Sequence, residues 1–348
     1  MFSDFFGGRM QAKRIEIENS CPIDIGRSVA GAFVADFIAR QEGSKSALIV
    51  TDREVAGLYL KEITEAFSGK NFSPEHIIID GSPSSKTLDE LKPVFERIID
   101  LNCSYLIALG GGGVIDVASF AASIIGSGVQ TILIPTSLLS MLESVAASYA
   151  FLHFQNQNDI LKVAVSPVYA AIDVSFLKTL PRRYFANGLA QIIRYGLVEN
   201  PALLHALASA KDIAILVEEG LRSGARIRKT QPHLLAFGKD IADAIECHFR
   251  FMKYTTGEAL ALSLLSLCHT AALHKLYEQL GLPVLLTEVT KETLLKRIAK
   301  SLEKRGKEVD LIRIGPERKL IVQRVSIDTA VRFYDLALSE ICQKVGES

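Results

Sequence analysis

The chain has 348 residues, 49% of them hydrophobic and 22% charged, an ordinary globular composition that suits two domains and excludes a disordered or fibrous chain. Its 39 Lys and Arg balance 39 Asp and Glu, so no net field favours nucleic acid or an anionic membrane. Five scattered cysteines without a CxxC pair argue against a disulfide framework or a zinc knuckle, and they suit a reducing compartment.

Near the start, Asp4 and Arg9 interrupt Phe2, Phe5 and Phe6, and no signal-type apolar core follows. An early pair, 14–18 and 22–25, alternates apolar and polar residues and predicts a hairpin at a sheet edge. Ser46–Thr51, His76–Asp80, Ser104–Leu109, Thr131–Pro135 and Val168–Asp173 read as short apolar strands, the first of them buried. Helical patterns near 54–67, 86–99 and 114–125 separate the first four. That alternation predicts a Rossmann-like parallel sheet with helices on both faces. The apolar stretch 105–139 is broken by glycines and a proline, so no membrane span is expected, and the cytoplasm is the expected location. After about 175 the runs 184–199, 201–220, 238–253 and 257–280 carry helical periodicity, and 311–325 reads as a small hairpin. The expected division is an α/β nucleotide-type domain over 1–175 and a mostly α-helical domain over 176–348, with the active-site cleft between them.

Gly110–Gly113 ends a strand and opens a helix. Glycines there admit a pyrophosphate to the backbone, and the helix N-terminus supplies amide donors. The spacing is not GxGxxG. A tight strand–helix turn is the plain alternative, and four glycines in a row favour phosphate. Asp116 either orders this loop or caps its helix. Asp52 at a strand end fits a ribose hydroxyl or a helix cap equally, and Thr136 and Ser137 fit phosphate donors or a cap equally. Lys86, taken alone, reads as a solvated lysine. Gln191 and Arg194, one helical turn apart among apolar residues, read as a polar stripe on a core helix or as a pair facing a cleft. Asp240, Asp243 and Cys247 share a helical face, and the reading preferred to a metal site is ordinary surface acids beside a buried cysteine.

The segments GGGGVIDVASFAA (110–122), IPTSLLSMLESVAAS (134–148), IDVSFLKTLPRRYFANGLAQIIRYGL (172–197), FGKDIADAIE (237–246) and TGEALAL (256–262) occur in this order. Together they resemble the dehydroquinate synthase family of sugar-phosphate cyclases, from PIDIG (22–26) to LGLP (280–283). The glycine segment alone is also similar to iron-type alcohol and glycerol-phosphate dehydrogenases. The resemblance implies NAD in the first domain, a metal (usually zinc) between domains, phosphate elimination from a seven-carbon sugar phosphate, and a homodimer. By position, the NAD set is Asp52, Lys86, Gly110, Gly111, Gly112, Asp116, Thr136, Ser137, Phe176, Thr179 and Leu180. Glu143 stands for an aspartate, and Pro83 replaces a glutamate.

The rest of the implied set departs. Gln191 stands where the family has a glutamate ligand to the metal, and Lys239 and Thr256 stand for two histidine ligands. Asp243 replaces a further histidine of that helix. Ser148 and Asn158 replace substrate-contacting lysines, Arg194 replaces a lysine, and Pro232 falls near a phosphate-binding arginine. Gln191 keeps an oxygen without charge, Lys239 repels a divalent cation, and zinc loses its imidazoles. No zinc is therefore expected. Arg194, Lys239 and Asp243 remain as candidate catalytic, cleft-facing positions, with Lys239 able to act as a fixed cation toward a small anionic ligand or sugar phosphate. The leading expectation is an NAD-binding, non-cyclising homologue or pseudoenzyme. Behind it stand a metal-independent NAD enzyme acting on a small polyol or sugar phosphate, and a true 3-dehydroquinate synthase with substitute ligands.

Overall fold

Short runs of apolar residues that are buried on both faces pair in parallel only when helices cover both sides of the sheet. The computed structural model, which describes residues 2–6, 11–18, 20–43, 45–70, 72–82, 85–155, 157–250, 252–315 and 319–342, shows this arrangement. Two compact units are present. The sheet unit comprises Gly7–Pro181 with Ile213–Arg222, and the helical unit comprises Met1–Phe6, Arg182–Asp212 and Ser223–Ser348.

In the sheet unit, β1 (Lys13–Ile15) and β2 (Ile23–Gly26) form the expected antiparallel edge hairpin, with Arg14 opposite Asp24. α1 (Ala30–Ala39) leads to β3 (Ala47–Asp52). A helical run then passes through α2 (Arg53–Val55), a π turn at Ala56–Leu60 and α3 (Lys61–Glu65) to β4 (Glu75–Ile79). α4 (Leu91–Asp100), β5 (Tyr105–Gly110), α5 (Gly112–Ile124), β6 (Gln130–Pro135) and α6 (Leu138–Leu142) follow. β7 (Tyr149–Phe154) and β8 (Gln157–Ala164) form a separate antiparallel hairpin, and β9 (Tyr169–Asp173) returns to the main sheet. The seven-stranded order is β1-β2-β9-β6-β5-β3-β4. β3, β5, β6 and β9 are almost wholly buried, which is why their sequences show no polar alternation. α5 is buried on nearly all sides because it packs against β5, β6 and the β7–β8 hairpin. The hairpin was not anticipated from the sequence.

In the helical unit, α7 (Arg182–Val198) packs on α11 (Thr256–Leu267), and α11 on α10 (Lys239–Phe249). A Cβ at Gly257 would lie 2.1 Å from the Asn187 Cα, so only glycine permits this approach of α11 to α7. Two expected long helices are broken. The run 201–220 divides into α8 (Ala202–Ala208) and α9 (Ile213–Thr230), because Ala210 turns left-handed at φ 47°, and the first part of α9, Ile213–Arg222, belongs to the sheet unit. The run 257–280 divides at Thr270, whose side chain caps α12 (Ala271–Leu280). α10 ends where Arg250 turns left-handed at φ 49°. α13 (Lys291–Glu303), the hairpin β10 (Glu308–Ile314) with β11 (Leu320–Ser326), and α14 (Ile327–Leu338) complete the unit.

Candidate functional site

The main sheet has one point at which the chain changes direction. From β3 it runs outward to β4, and from β5 it runs the other way to β6, while β3 and β5 lie side by side. Ligands of open α/β sheets bind at the carboxyl ends of strands beside such a point. Asp52 ends β3 and Gly110 ends β5.

The loops at this end are packed closely. A Cβ at Gly113 would lie 2.7 Å from the Gly81 carbonyl oxygen, and one at Gly81 would lie 2.7 Å from the Asp52 Cβ. The glycine turn therefore meets the loop after β4 through backbone, and that loop meets the Asp52 side chain at the end of β3. Gly111 and Gly112 differ from these. A Cβ on either would meet nothing nearer than 3.9 Å, the Ser137 hydroxyl at Gly111 and the Ser144 hydroxyl at Gly112. Gly111 caps α5 with no side-chain hydrogen bond. The helix start thus presents bare backbone to a space edged by two hydroxyls, a cradle suited to a phosphate. Gly112 begins a helix of 13 residues, long enough for its dipole to contribute.

Other sequence-predicted residues fall around this turn. Thr136 is buried and donates its N–H to the Gly110 carbonyl at 2.9 Å, extending the β5–β6 ladder. Ser137 caps α6 by accepting from the Ser140 N–H, and Glu143 closes α6 directly before Ser144. Asp52 accepts from the Val55 N–H at 2.9 Å, so one carboxylate oxygen acts as a helix cap. Phe176 and Thr179 lie in the segment after β9. Tyr59, which the sequence did not mark, packs its ring 4.3 Å from that of Phe176 and hydrogen-bonds the Thr179 hydroxyl. Leu180 is half-buried beside them.

Lys86 is not the solvated lysine that it reads as in isolation. Its side chain is 13% exposed and lies 2.6 Å from the Asp116 carboxylate and 2.9 Å from that of Asp159. Asp116 therefore pairs with Lys86 and does not cap α5. Burial raises the Asp116 pKa above the usual carboxylate value, although Lys86 works against this. Burial opposes the Lys86 charge, but Asp116 and Asp159 outweigh it and the ammonium pKa is raised. The hairpin that carries Asp159 also receives this loop, because the His153 N–H donates to the Lys86 carbonyl at 2.6 Å. Neither Asp159 nor His153 was singled out from the sequence; an aspartate in a half-exposed strand gives no periodic signal. Pro83 and the Asn158 side chain lie outside the described residues, and Ser148 is exposed at the hairpin base.

The positions that the resemblance assigns to a metal all belong to the helical unit. Gln191 lies mid-α7, 1% exposed, and neither its Oε1 nor its Nε2 meets a hydrogen-bonding partner among the described residues. Lys239 is the first residue of α10, and its ammonium lies 2.9 Å from the Asp243 carboxylate one turn on. Thr256 is the first residue of α11. There Thr255 forms a capping box with Glu258, and Arg183 grips Glu258 at 2.8 and 2.7 Å. Arg194 donates to the Leu235 carbonyl at 3.0 Å. Cys247, expected to be buried, is exposed. Among the described residues no group of three or more His, Cys, Asp or Glu is placed to hold a metal ion. An amide, an ammonium and a hydroxyl do not form a zinc donor set.

A doubly wound sheet with a glycine turn at its reversal point and a separate helical unit give this chain the architecture of a nucleotide-binding α/β protein with a second, α-helical part. Residues 76–187 match the sequence model of the 3-dehydroquinate synthase N-terminal family. The 3-dehydroquinate synthase of Shewanella sp. (strain MR-4) is 30% identical over 278 residues, covering 73% of this chain and 75% of that one. That of Thermoanaerobacter pseudethanolicus is 27% identical over 308 residues, covering 80% and 86%. A 2-deoxy-scyllo-inosose synthase, solved with carbaglucose-6-phosphate, NAD+ and Co2+, is similar in structure with a TM-score of 0.79 at 18% identity, covering 95% of this chain and all of that one (100%). The chain belongs to the 3-dehydroquinate synthase family.

Proposed function

We propose that this protein is a non-cyclising member of the family that keeps the nucleotide crevice and has lost the metal-dependent reaction. NAD is supported as the ligand by the cradle at Gly111 and Gly112, where any side chain would enter the space edged by Ser137 and Ser144. Gly111 and Gly112 would receive the pyrophosphate, and the free lone pairs of Asp52 would accept from a ribose hydroxyl. NAD, when bound, supplies a hydride acceptor. The chain's own groups bind and orient it.

The observation that carries the loss of metal chemistry is the Lys239–Asp243 pair. A cation already paired within its own helix stands at one position that the resemblance assigns to a metal ligand, and a neutral buried amide stands at another. Without a Lewis acid, stabilisation worth several kcal/mol is missing from any alkoxide-forming step. The same residues favour a ligand-binding or scaffold subunit over a cyclase, and the family resemblance adds the expectation of a homodimer.

The test measures phosphate release from the substrate of the relatives' 3-dehydroquinate synthase reaction, with and without added zinc. No turnover is expected in either case, and elemental analysis of dialysed protein is expected to show no equimolar zinc. Zinc-dependent phosphate release by the unaltered chain would overturn the proposal. The triple variant Gln191→Glu, Lys239→His, Thr256→His is expected to gain zinc affinity, because it rebuilds a carboxylate and two imidazoles.

A further inference from the structure

The corner beside the glycine turn holds one ammonium between two carboxyl groups: Lys86 at 2.6 Å from Asp116 and 2.9 Å from Asp159. The two acids come from different elements. Asp116 lies on α5, one turn after Gly112, and belongs to the helix that forms the cradle. Asp159 comes from β8, and its backbone is left-handed at φ 51°, a conformation that costs a non-glycine residue free energy and that aspartate tolerates best. Its N–H donates to the His153 Nδ1 at 3.0 Å, and the His153 N–H donates to the Lys86 carbonyl. The hairpin is thus tied to the Lys86 loop by backbone and side chain together. The Lys86 loop begins at Gly81 and Ser82, whose carbonyl oxygens lie 2.7 and 3.3 Å from where a Gly113 Cβ would be. Lys86 therefore belongs to the loop that packs against the glycine turn, and two carboxylates already engage its ammonium.

We infer that Asp159 is a specificity-determining residue of this crevice: it competes with a ligand anion for the Lys86 ammonium. With both acids ionised the corner carries one excess negative charge, which opposes a phosphate and leaves carboxylate oxygens to accept from ligand hydroxyls. Asp159 is 46% exposed, so its hold on Lys86 is weaker than that of Asp116 and an incoming anion is able to displace it. Asp116, 19% exposed, stays in place as the fixed partner.

The inference rests on the nucleotide-crevice reading, and the test separates the two. NAD and inorganic pyrophosphate are titrated calorimetrically into the parent, Asp159→Asn, Lys86→Met and the double variant. Asp159→Asn is expected to bind both probes more tightly by about fivefold, the scale of a half-exposed ion pair. Lys86→Met is expected to cost far more affinity in the Asp159→Asn background than in the parent, because only there is the ammonium released to the ligand. Competitive acylation of lysines, read by mass spectrometry, supplies a measurement that does not depend on the Lys86→Met variant folding. Lys86 is expected to become more reactive in Asp159→Asn and to be protected again by pyrophosphate.

Equal affinities in parent and Asp159→Asn, or a gain that survives Lys86→Met unchanged, would overturn the inference and leave NAD binding standing. Pyrophosphate protection of Lys86 without NAD binding to any variant would support the inference and overturn the NAD reading. Failure of both probes to bind every variant would overturn both.

Discussion

Asp173 is fully buried, and its two carboxylate oxygens accept from the N–H groups of Ser28, Val29, Ala30 and Ser175 and from the Ser175 hydroxyl. One side chain fixes the start of α1 to the end of β9. Removing it leaves several buried donors without an acceptor, so Asp173→Ala is expected to lower the unfolding free energy by about 3 kcal/mol or more in a urea titration. Gln191 presents the opposite case. Its buried amide meets no partner among the described residues, and an unsatisfied buried polar group costs about 1–3 kcal/mol. Gln191→Met, close in volume, is expected to raise stability by about 1 kcal/mol in the same titration. A loss of that size would mean that the amide is satisfied by something bound. The sequence exposed both residues only partly. IDVS marks a strand end, and a glutamine among apolar residues marks a core helix, but neither pattern says which backbone groups converge on a side chain.

At the level of elements, periodicity located the buried parallel strands because a strand covered on both faces has an unbroken apolar run. It overran helix boundaries where a single φ or a single cap decides, as at Ala210 and Thr270. It gave no sign of the β7–β8 hairpin, whose faces mix exposed Tyr149, Phe154 and Ile160 with buried Ala150 and Leu152. The start of α11 offers two tests of packing and capping. Gly257→Ala places a methyl carbon against the α7 backbone and is expected to destabilise by more than about 3 kcal/mol, measured as a fall in urea midpoint. Glu258 is the other. Burial opposes its charge, but the Arg183 fork and the Thr255 N–H prevail and hold its pKa below the ordinary glutamate value. A depressed folded pKa stabilises above the unfolded value of about 4.3 and is lost as pH falls through the folded one. The acid-unfolding curve of Glu258→Gln is therefore expected to be shallower below about pH 5 than that of the parent.

Across the whole molecule, the positions that the resemblance assigns to a dinucleotide and those it assigns to a metal lie in different units. The placement of the first set was legible because it depends on glycines and strand ends, which sequence order fixes: Gly110–Gly113, Asp52, Thr136 and Ser137 all fall at the carboxyl end of one sheet. Its electrostatics were not legible, since Lys86 meets Asp116 across two elements distant in sequence and Asp159 joins them from the unanticipated hairpin. The second set was legible only as substitutions, and the structure adds that Lys239 is paired along its own helix and that Gln191 is sealed in the core.

The central claim, dinucleotide binding without a metal, is tested most directly by calorimetric titration of NAD into chelator-treated protein, repeated with equimolar zinc. The account predicts a saturable isotherm that is the same in both. No binding in either, or binding that appears only when zinc is added, would contradict it.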